Sequence, residues 1–342
     1  MERERFFEAI RKVPKAEIHL HLEDFIAEQS EKVSSLPEFL VEVRSAQNSR
    51  KEIGDFHRTF RRIARYLKTN GIVYAEISFS VPRYLNNGFI YPEMIKYFEA
   101  QIERIKREDN ITIKLIADVS RTYGVESANH VLDLVIKHKS RDIIGIGLGG
   151  DEKLGPAKNF ANIFKRAREN GLHTVAHAGE SDDYQSVLNA IKYLGAQRIG
   201  HGIAAAYDAA TMELLKTKNI PLEVAPTSNI VTGHIVKTLP EHPIKRLHEN
   251  GVLVTLNSDD PNLFNTSLTQ EYWNLHNAMD FEFEQLYIII INGFRAAFIT
   301  DIARRGYIKA ANKQWSRMLA LEQRIDDKSW QMSCQTLFDR IE

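Results

Sequence analysis

The chain has 342 residues, 43% hydrophobic and 26% charged, with 45 Lys and Arg against 45 Asp and Glu. A formal net charge of zero excludes the basic footprint of a nucleic-acid or polybasic membrane binder. The single cysteine, Cys334, excludes a disulfide framework and any zinc site built on two or four thiolates. The first twenty residues lack the apolar run of a signal peptide, and the most apolar later stretch, 286–292, is too short to span a bilayer. The expectation is a cytoplasmic chain of one domain over 1–342, with no nucleic-acid and no membrane partner.

In chain order, short apolar runs rich in β-branched residues fall at 17–23, 73–80, 114–121, 143–150, 173–179, 198–202, 221–229 and 253–261. Helical patterns fill the gaps at 56–69, 91–107, 127–138, 159–170, 184–194, 208–218 and 243–250. Three of them end in Asn-Gly, at 70–71, 170–171 and 250–251, a helix-stop signal. Eight strand–helix units joined by right-handed crossovers predict a closed (β/α)8 TIM barrel of class α/β. A dinucleotide fold would need G-x-G-x-x-G after the first strand, where the chain has His19-Leu20-His21-Leu22-Glu23. The segment 24–70 reads as a short lid and 284–342 as a helical C-terminal segment.

In such a barrel the chemistry gathers at the C-terminal strand ends. His19 and His21 are two apart on one strand, so both imidazoles face the same side and can share an ion. His177 in TVAHAGE and Asp259 in SDDP would complete a set of three imidazoles and one carboxylate, which satisfies zinc and leaves room for an activated water. Taken singly, each has an ordinary explanation: a core histidine, or an aspartate capping a turn. Four of them at strand ends of one barrel favour a single mononuclear metal site. Glu180, three residues past His177, is placed for general acid–base work, or is an acidic residue in a first helical turn. His201, between glycines in RIGHG, is placed to hold a hydroxide and steady developing negative charge, or is a structural core histidine.

PKAEIHLHLE, TVAHAGE, RIGHGI, LEVAPTSN and LNSDDP, in that order, resemble the motifs of the adenosine deaminase family of the amidohydrolase superfamily. The resemblance runs from about Pro14 to Tyr272. It implies that His19, His21, His177 and Asp259 bind one Zn2+, that Glu180 shuttles the proton and that His201 orients the hydroxide. It also implies that Asp260 contacts the purine N7, either protonated as a donor or accepting from a modified ring, and that the Gly150 backbone meets N3. The implied reaction is hydrolytic deamination of a 6-aminopurine nucleoside, adenosine to inosine, with a homodimer as an allowed assembly. Two departures bear on substrate. The family's Asp-Gly after the two histidines is Glu23-Asp24, and Glu23 resembles the adenine deaminases. The lid is short, only SLPEFL (35–40) matching its end, which would open the pocket to a 5′-extended substrate such as 6-aminodeoxyfutalosine. Arg121 is a candidate partner for an anionic tail, or forms an ordinary salt bridge. A different amidohydrolase reaction, or an inactive binding protein, is the remaining alternative.

Overall fold

The computed structural model describes residues 2–26 and 52–322. The lid match at 35–40, the end of the C-terminal segment and Cys334 lie outside the described residues. Eight strands form the barrel: β1 (Lys15–His21), β2 (Ile72–Ser80), β3 (Thr112–Asp118), β4 (Ile143–Gly147), β5 (His173–Ala178), β6 (Arg198–His201), β7 (Leu222–Val224) and β8 (Val254–Leu256). They neighbour one another in sequence order, and every pair is parallel. The TIM barrel expected from the strand–helix rhythm is therefore the fold.

The sequence reading carries several strands too far toward their C-termini, for local reasons. Pro226 has no N–H for a ladder and instead opens the helix Pro226–Thr232, so the end of the run 221–229 is helical. His201 and Asp259 have φ of 59° and 63°, a left-handed conformation that ends an extended strand. The helical patterns agree better: Phe56–Thr69 has the expected bounds, and Gly71, Gly171 and Gly251 all take positive φ, as Asn-Gly stops require. The run 184–194 is an α-helix over Tyr184–Asn189 continued by a π turn over Ala190–Leu194.

The seam between β8 and β1 is closed mainly by polar groups of the stretch 257–263. Asp259 N donates to His19 O at 3.2 Å, within the isolated Leu20–Asp259 bridge. Asn257 Oδ1 accepts from Ile18 N at 3.1 Å, and Ser258 gives its N–H and hydroxyl to Glu17 Oε1 at 2.8 and 2.5 Å. Asp24, buried, accepts from Asn262 N and Leu263 N at 2.9 and 3.0 Å. Helix Phe283–Ala296 covers this seam. Its Asn292 donates to Val254 O at 3.0 Å, and a Cβ on Gly293 would lie 3.1 Å from Ala16 O.

Arg198 ties three strands together. Only 1% exposed, it pairs with Glu76 of β2 at 2.6 Å and Glu223 of β7 at 2.5 Å, and donates to Ala296 O at 3.0 Å. Its guanidinium lies 3.8 Å from the Phe298 ring centroid, which stacks at 3.8 Å on His173. Removing the cation alone leaves two buried carboxylates uncompensated. Arg198→Met should therefore lower the urea-unfolding free energy by ~3–5 kcal/mol; a loss below ~1 kcal/mol would show that Glu76 and Glu223 do not depend on it.

Candidate active site

The alternation of β1 puts His19 and His21 on one side of the strand, their ring centroids 5.4 Å apart. His177 on β5 and Asp259 after β8 complete a group whose ligand atoms all lie within 4.8 Å of one another. Asp259 Oδ1 is 3.1 Å from His21 Nε2 and 3.5 Å from His19 Nε2. Among the described residues, His19 Nε2 and Asp259 Oδ1 are buried without a hydrogen-bond partner, an expensive state for polar atoms. Three nitrogens and one oxygen converging around two such atoms fit an N/O-binding cation such as zinc, which can expand to a fifth position for water. Among the described residues, this His/His/His/Asp group is the one set able to hold a metal ion.

Each member of the group is held from behind. Glu223 Oε2 accepts from His19 Nδ1 at 2.7 Å, which leaves Nε2 as the atom that faces the group. Ser228 Oγ donates to Asp259 Oδ2 at 2.7 Å, so Oδ1 is the oxygen turned toward the imidazoles. Gly200 lets β6 pass close by, since a Cβ there would sit 2.8 Å from His19 Cε1. Arg121, the candidate for an anionic tail, is spent elsewhere: it donates to Leu148 O and His177 O at 2.8 Å and to Gly155 O at 2.9 Å. It makes no salt bridge among the described residues and fixes the strand ends that carry His177 and Gly150.

Charges in the group oppose one another. Burial lowers the His19 imidazole, but its contacts with Asp259 and Glu223 outweigh this and raise it to about 9. Burial together with the imidazoles of His19, His201 and His21 holds His177 well below the usual range, as a neutral nitrogen ligand requires. For Asp260, burial and then the Asp259 charge push the carboxyl well above its usual range, toward the protonated form able to donate.

Glu180 and His201 sit over this group, 3.5 Å apart at Glu180 Oε2 and His201 Nε2. The loop carrying Glu180 is fixed by Glu152, which accepts from the amides of Gly179, Glu180 and Ser181 at 2.7, 3.0 and 2.9 Å and from the Ser186 hydroxyl. The His201 tautomer follows from a chain of hydrogen bonds. Ile244 N donates to His242 Nδ1 at 3.2 Å, so His242 Nε2 carries the proton and donates to Asn229 Oδ1 at 3.2 Å. Asn229 then donates through Nδ2 to His201 Nδ1 at 3.0 Å. His201 must carry its proton on Nε2, pointing it at Glu180 and Asp259.

A cleft of about 410 Å3 opens above, lined in part by Gly150, His21, His177, Glu180, His201, Asp259 and Asp260. Of the residues singled out from sequence, His19 lies beneath these. Glu23 is buried beside β2, its Oε1 accepting from Ser80 N at 2.8 Å, and is not among the residues lining the cleft. Sequence reasoning missed Glu223, Ser228 and Asn229, although the motif LEVAPTSN contains all three. Polar residues set in an apolar run are the readable signal. Glu152, in GLGGDE, is masked by its more conspicuous neighbour Gly150. His242 lies in a loop with no signal at all.

An eight-stranded parallel barrel with this group at its strand ends is the architecture of the amidohydrolase superfamily of barrel hydrolases. The profile of the family described as adenosine deaminase matches residues 9–313. An adenosine deaminase of Salmonella typhi is 37% identical over 239 residues, 69% of this chain and 71% of that one. One of Shewanella loihica is 36% identical over 244 residues, 70% and 72%. Among solved structures, the adenine deaminase of Arthrobacter aurescens superposes with a TM-score of 0.83 at 24% identity, covering 89% of this chain and 99% of that one. The N6-mAMP deaminase of Arabidopsis gives 0.76 at 22%, covering 90% and 99%. The chain belongs to the adenosine deaminase family, hydrolases of carbon–nitrogen bonds in cyclic amidines.

Metal binding to the folded state adds stability by mass action. Chelator-stripped protein should therefore gain several degrees of Tm on addition of zinc, and His177→Ala should lose that response. A wild-type Tm indifferent to zinc would contradict the ligand assignment.

Proposed function

We propose that the protein catalyses zinc-dependent hydrolytic deamination of a 6-aminopurine nucleoside, with adenosine and water giving inosine and ammonia. The observation that carries this reading is the Glu180–His201 pair standing over the His19/His21/His177/Asp259 group. The adenosine deaminases of Salmonella typhi and Shewanella loihica support the substrate. A fold neighbour from Burkholderia ambifaria, an amidohydrolase with bound Zn and a TM-score of 0.85 at 19% identity, is compatible with the metal. When bound, zinc supplies Lewis acidity and lowers the pKa of water.

The side chains then have separate tasks. Glu180 takes the proton of the water that attacks C6 and delivers it to the ring, N1 being the acceptor within reach of a carboxylate beside C6. His201 donates its Nε2 proton toward the attacking oxygen; with Nδ1 occupied by Asn229, it is an orienting donor rather than a base. Protonated Asp260 donates to N7, and the Gly150 amide serves N3. The remaining proton of the C6 hydroxyl then passes, through Glu180, to the amino group, which leaves as ammonia as C6 forms its carbonyl.

Adenine is the second reading. Glu23 follows the two histidines as in the adenine deaminases, and the Arthrobacter adenine deaminase is a fold neighbour. The short 24–70 segment keeps a 5′-extended nucleoside as a further arm of the test. Ammonia release from adenosine, deoxyadenosine, adenine, AMP and 6-aminodeoxyfutalosine decides among them, with adenosine expected first. Release from none would overturn the deaminase reading. Glu180→Gln should keep zinc content and product binding while kcat falls by ~10²-fold or more; unchanged turnover would move the proton transfer to another group.

A further inference from the structure

Among the described residues, two carboxylates that the mechanism does not use line the cleft: Asp151, which accepts from the amides of Lys153 and Leu154, and Asp118. Asp118 is the last residue of β3, a C-terminal strand-end position of the kind that carries function in this fold. It lines the cleft on the side of His21, Gly149 and Gly150. Its Oδ1 is fully engaged, accepting from Gly149 N at 2.8 Å and Ser120 N at 3.2 Å. Among the described residues, nothing donates to Oδ2, which a Cβ on Gly149 would approach to 3.3 Å. The two amides lock the carboxylate in place and leave one oxygen unspent. Asp118 makes no salt bridge among the described residues, and Arg121 and His21 act on it only at longer range.

The chemistry of the substrate restricts what that oxygen can meet. Apart from the 6-amino group at the reacting carbon, the purine ring of a nucleoside presents acceptors (N1, N3 and N7). A carboxylate oxygen has no use for these. The remaining donors are the sugar hydroxyls of a nucleoside or the imidazole-ring N–H of a free base. The charge around Asp118 adds a second restriction. Among the described residues, Asp118, Asp151, Glu180, Asp259 and Asp260 line the cleft, and Lys153 is the one Lys or Arg side chain that does so. A phosphate bound beside Asp118 would carry about two negative charges toward the carboxylates of Asp118 and Asp151, Asp259 being given to the metal and Asp260 protonated.

Building on the deaminase reading, we infer that Asp118 is a specificity-determining residue, accepting a hydrogen bond from a neutral sugar hydroxyl or ring N–H and disfavouring 5′-phosphorylated substrates. The sequence hides it as the single acidic residue of KLIADVSR, and only the pairing of β3 with β4 brings it beside Gly149.

The test compares zinc-loaded wild type, Asp118→Asn and Asp118→Ala by ammonia release from adenosine, adenine and AMP, with Tm and zinc content measured alongside. Asn keeps an oxygen for the Gly149 and Ser120 amides and replaces Oδ2 by a donor, so it separates recognition from loop support. The inference predicts that both variants raise KM for the preferred neutral substrate by ~10-fold, with kcat, Tm and zinc content nearly unchanged. The ratio of kcat/KM for AMP to that for the neutral substrate should rise by a similar factor. A larger loss with adenosine assigns the partner as a hydroxyl, and a larger loss with adenine assigns it as the ring N–H. Asn behaving like wild type while Ala alone fails would overturn the inference, as would equal losses on all three substrates accompanied by a lower Tm. Wild type inactive on every substrate would overturn the deaminase reading and this inference with it, whereas an active wild type with silent variants overturns this inference alone.

Discussion

Two buried atoms, His19 Nε2 and Asp259 Oδ1, face each other at 3.5 Å with no hydrogen-bond partner among the described residues, and the site is organised around them. Three further ring centroids, those of His21, His177 and His201, lie within 5.4 Å of His19. Such crowding of imidazoles and carboxylate is costly in a low-dielectric interior unless a cation gathers the lone pairs. The residues behind the group keep it from relaxing. Glu223 holds His19, Ser228 holds Asp259 and Asn229 holds His201. Glu223 is itself held by Arg198, and Arg198 by Glu76, so the orientation of one ligand is fixed by a chain of charges reaching across the barrel from β7 to β2.

Closing the barrel and building the site are the same act. Asp259 bridges to Leu20, between the two histidines of β1, and its neighbours Asn257 and Ser258 bond to Ile18 and Glu17. The site residues His201 and Asp259 have left-handed backbones, a conformation that costs a non-glycine residue of order 1 kcal/mol. Each stands where a strand breaks off and a side chain must turn inward over the axis. Local strain is retained where the surrounding bonds dictate the geometry, and it coincides here with the proposed chemistry.

Much of this was legible in the sequence because its signals are local. The β1 alternation gives His19-x-His21 directly, Asn-Gly pairs mark helix ends, and polar residues at the ends of apolar runs mark the barrel mouth. What was illegible depends on pairing between distant segments. Asp24 departs from the family glycine, and nothing near it in sequence says that it caps the amides of Asn262 and Leu263. Arg121 reads in sequence as a partner for an anionic tail or as half of a salt bridge and is spent on carbonyls from three loops and strands. Asp118 and Glu152 needed the β3–β4 neighbourhood and the loop beyond it to acquire meaning. Strand ends were misplaced because reading apolar runs cannot register a left-handed residue or a proline-started helix inside a motif.

The most direct measurement of the central claim is X-ray diffraction from zinc-soaked crystals, collected on both sides of the zinc absorption edge. The account requires one anomalous peak about 2.0–2.2 Å from one nitrogen each of His19, His21 and His177 and from an Asp259 oxygen, with His19 ligating through Nε2. Two peaks bridged by a shared ligand, or no peak at the group while zinc is bound elsewhere, would contradict it.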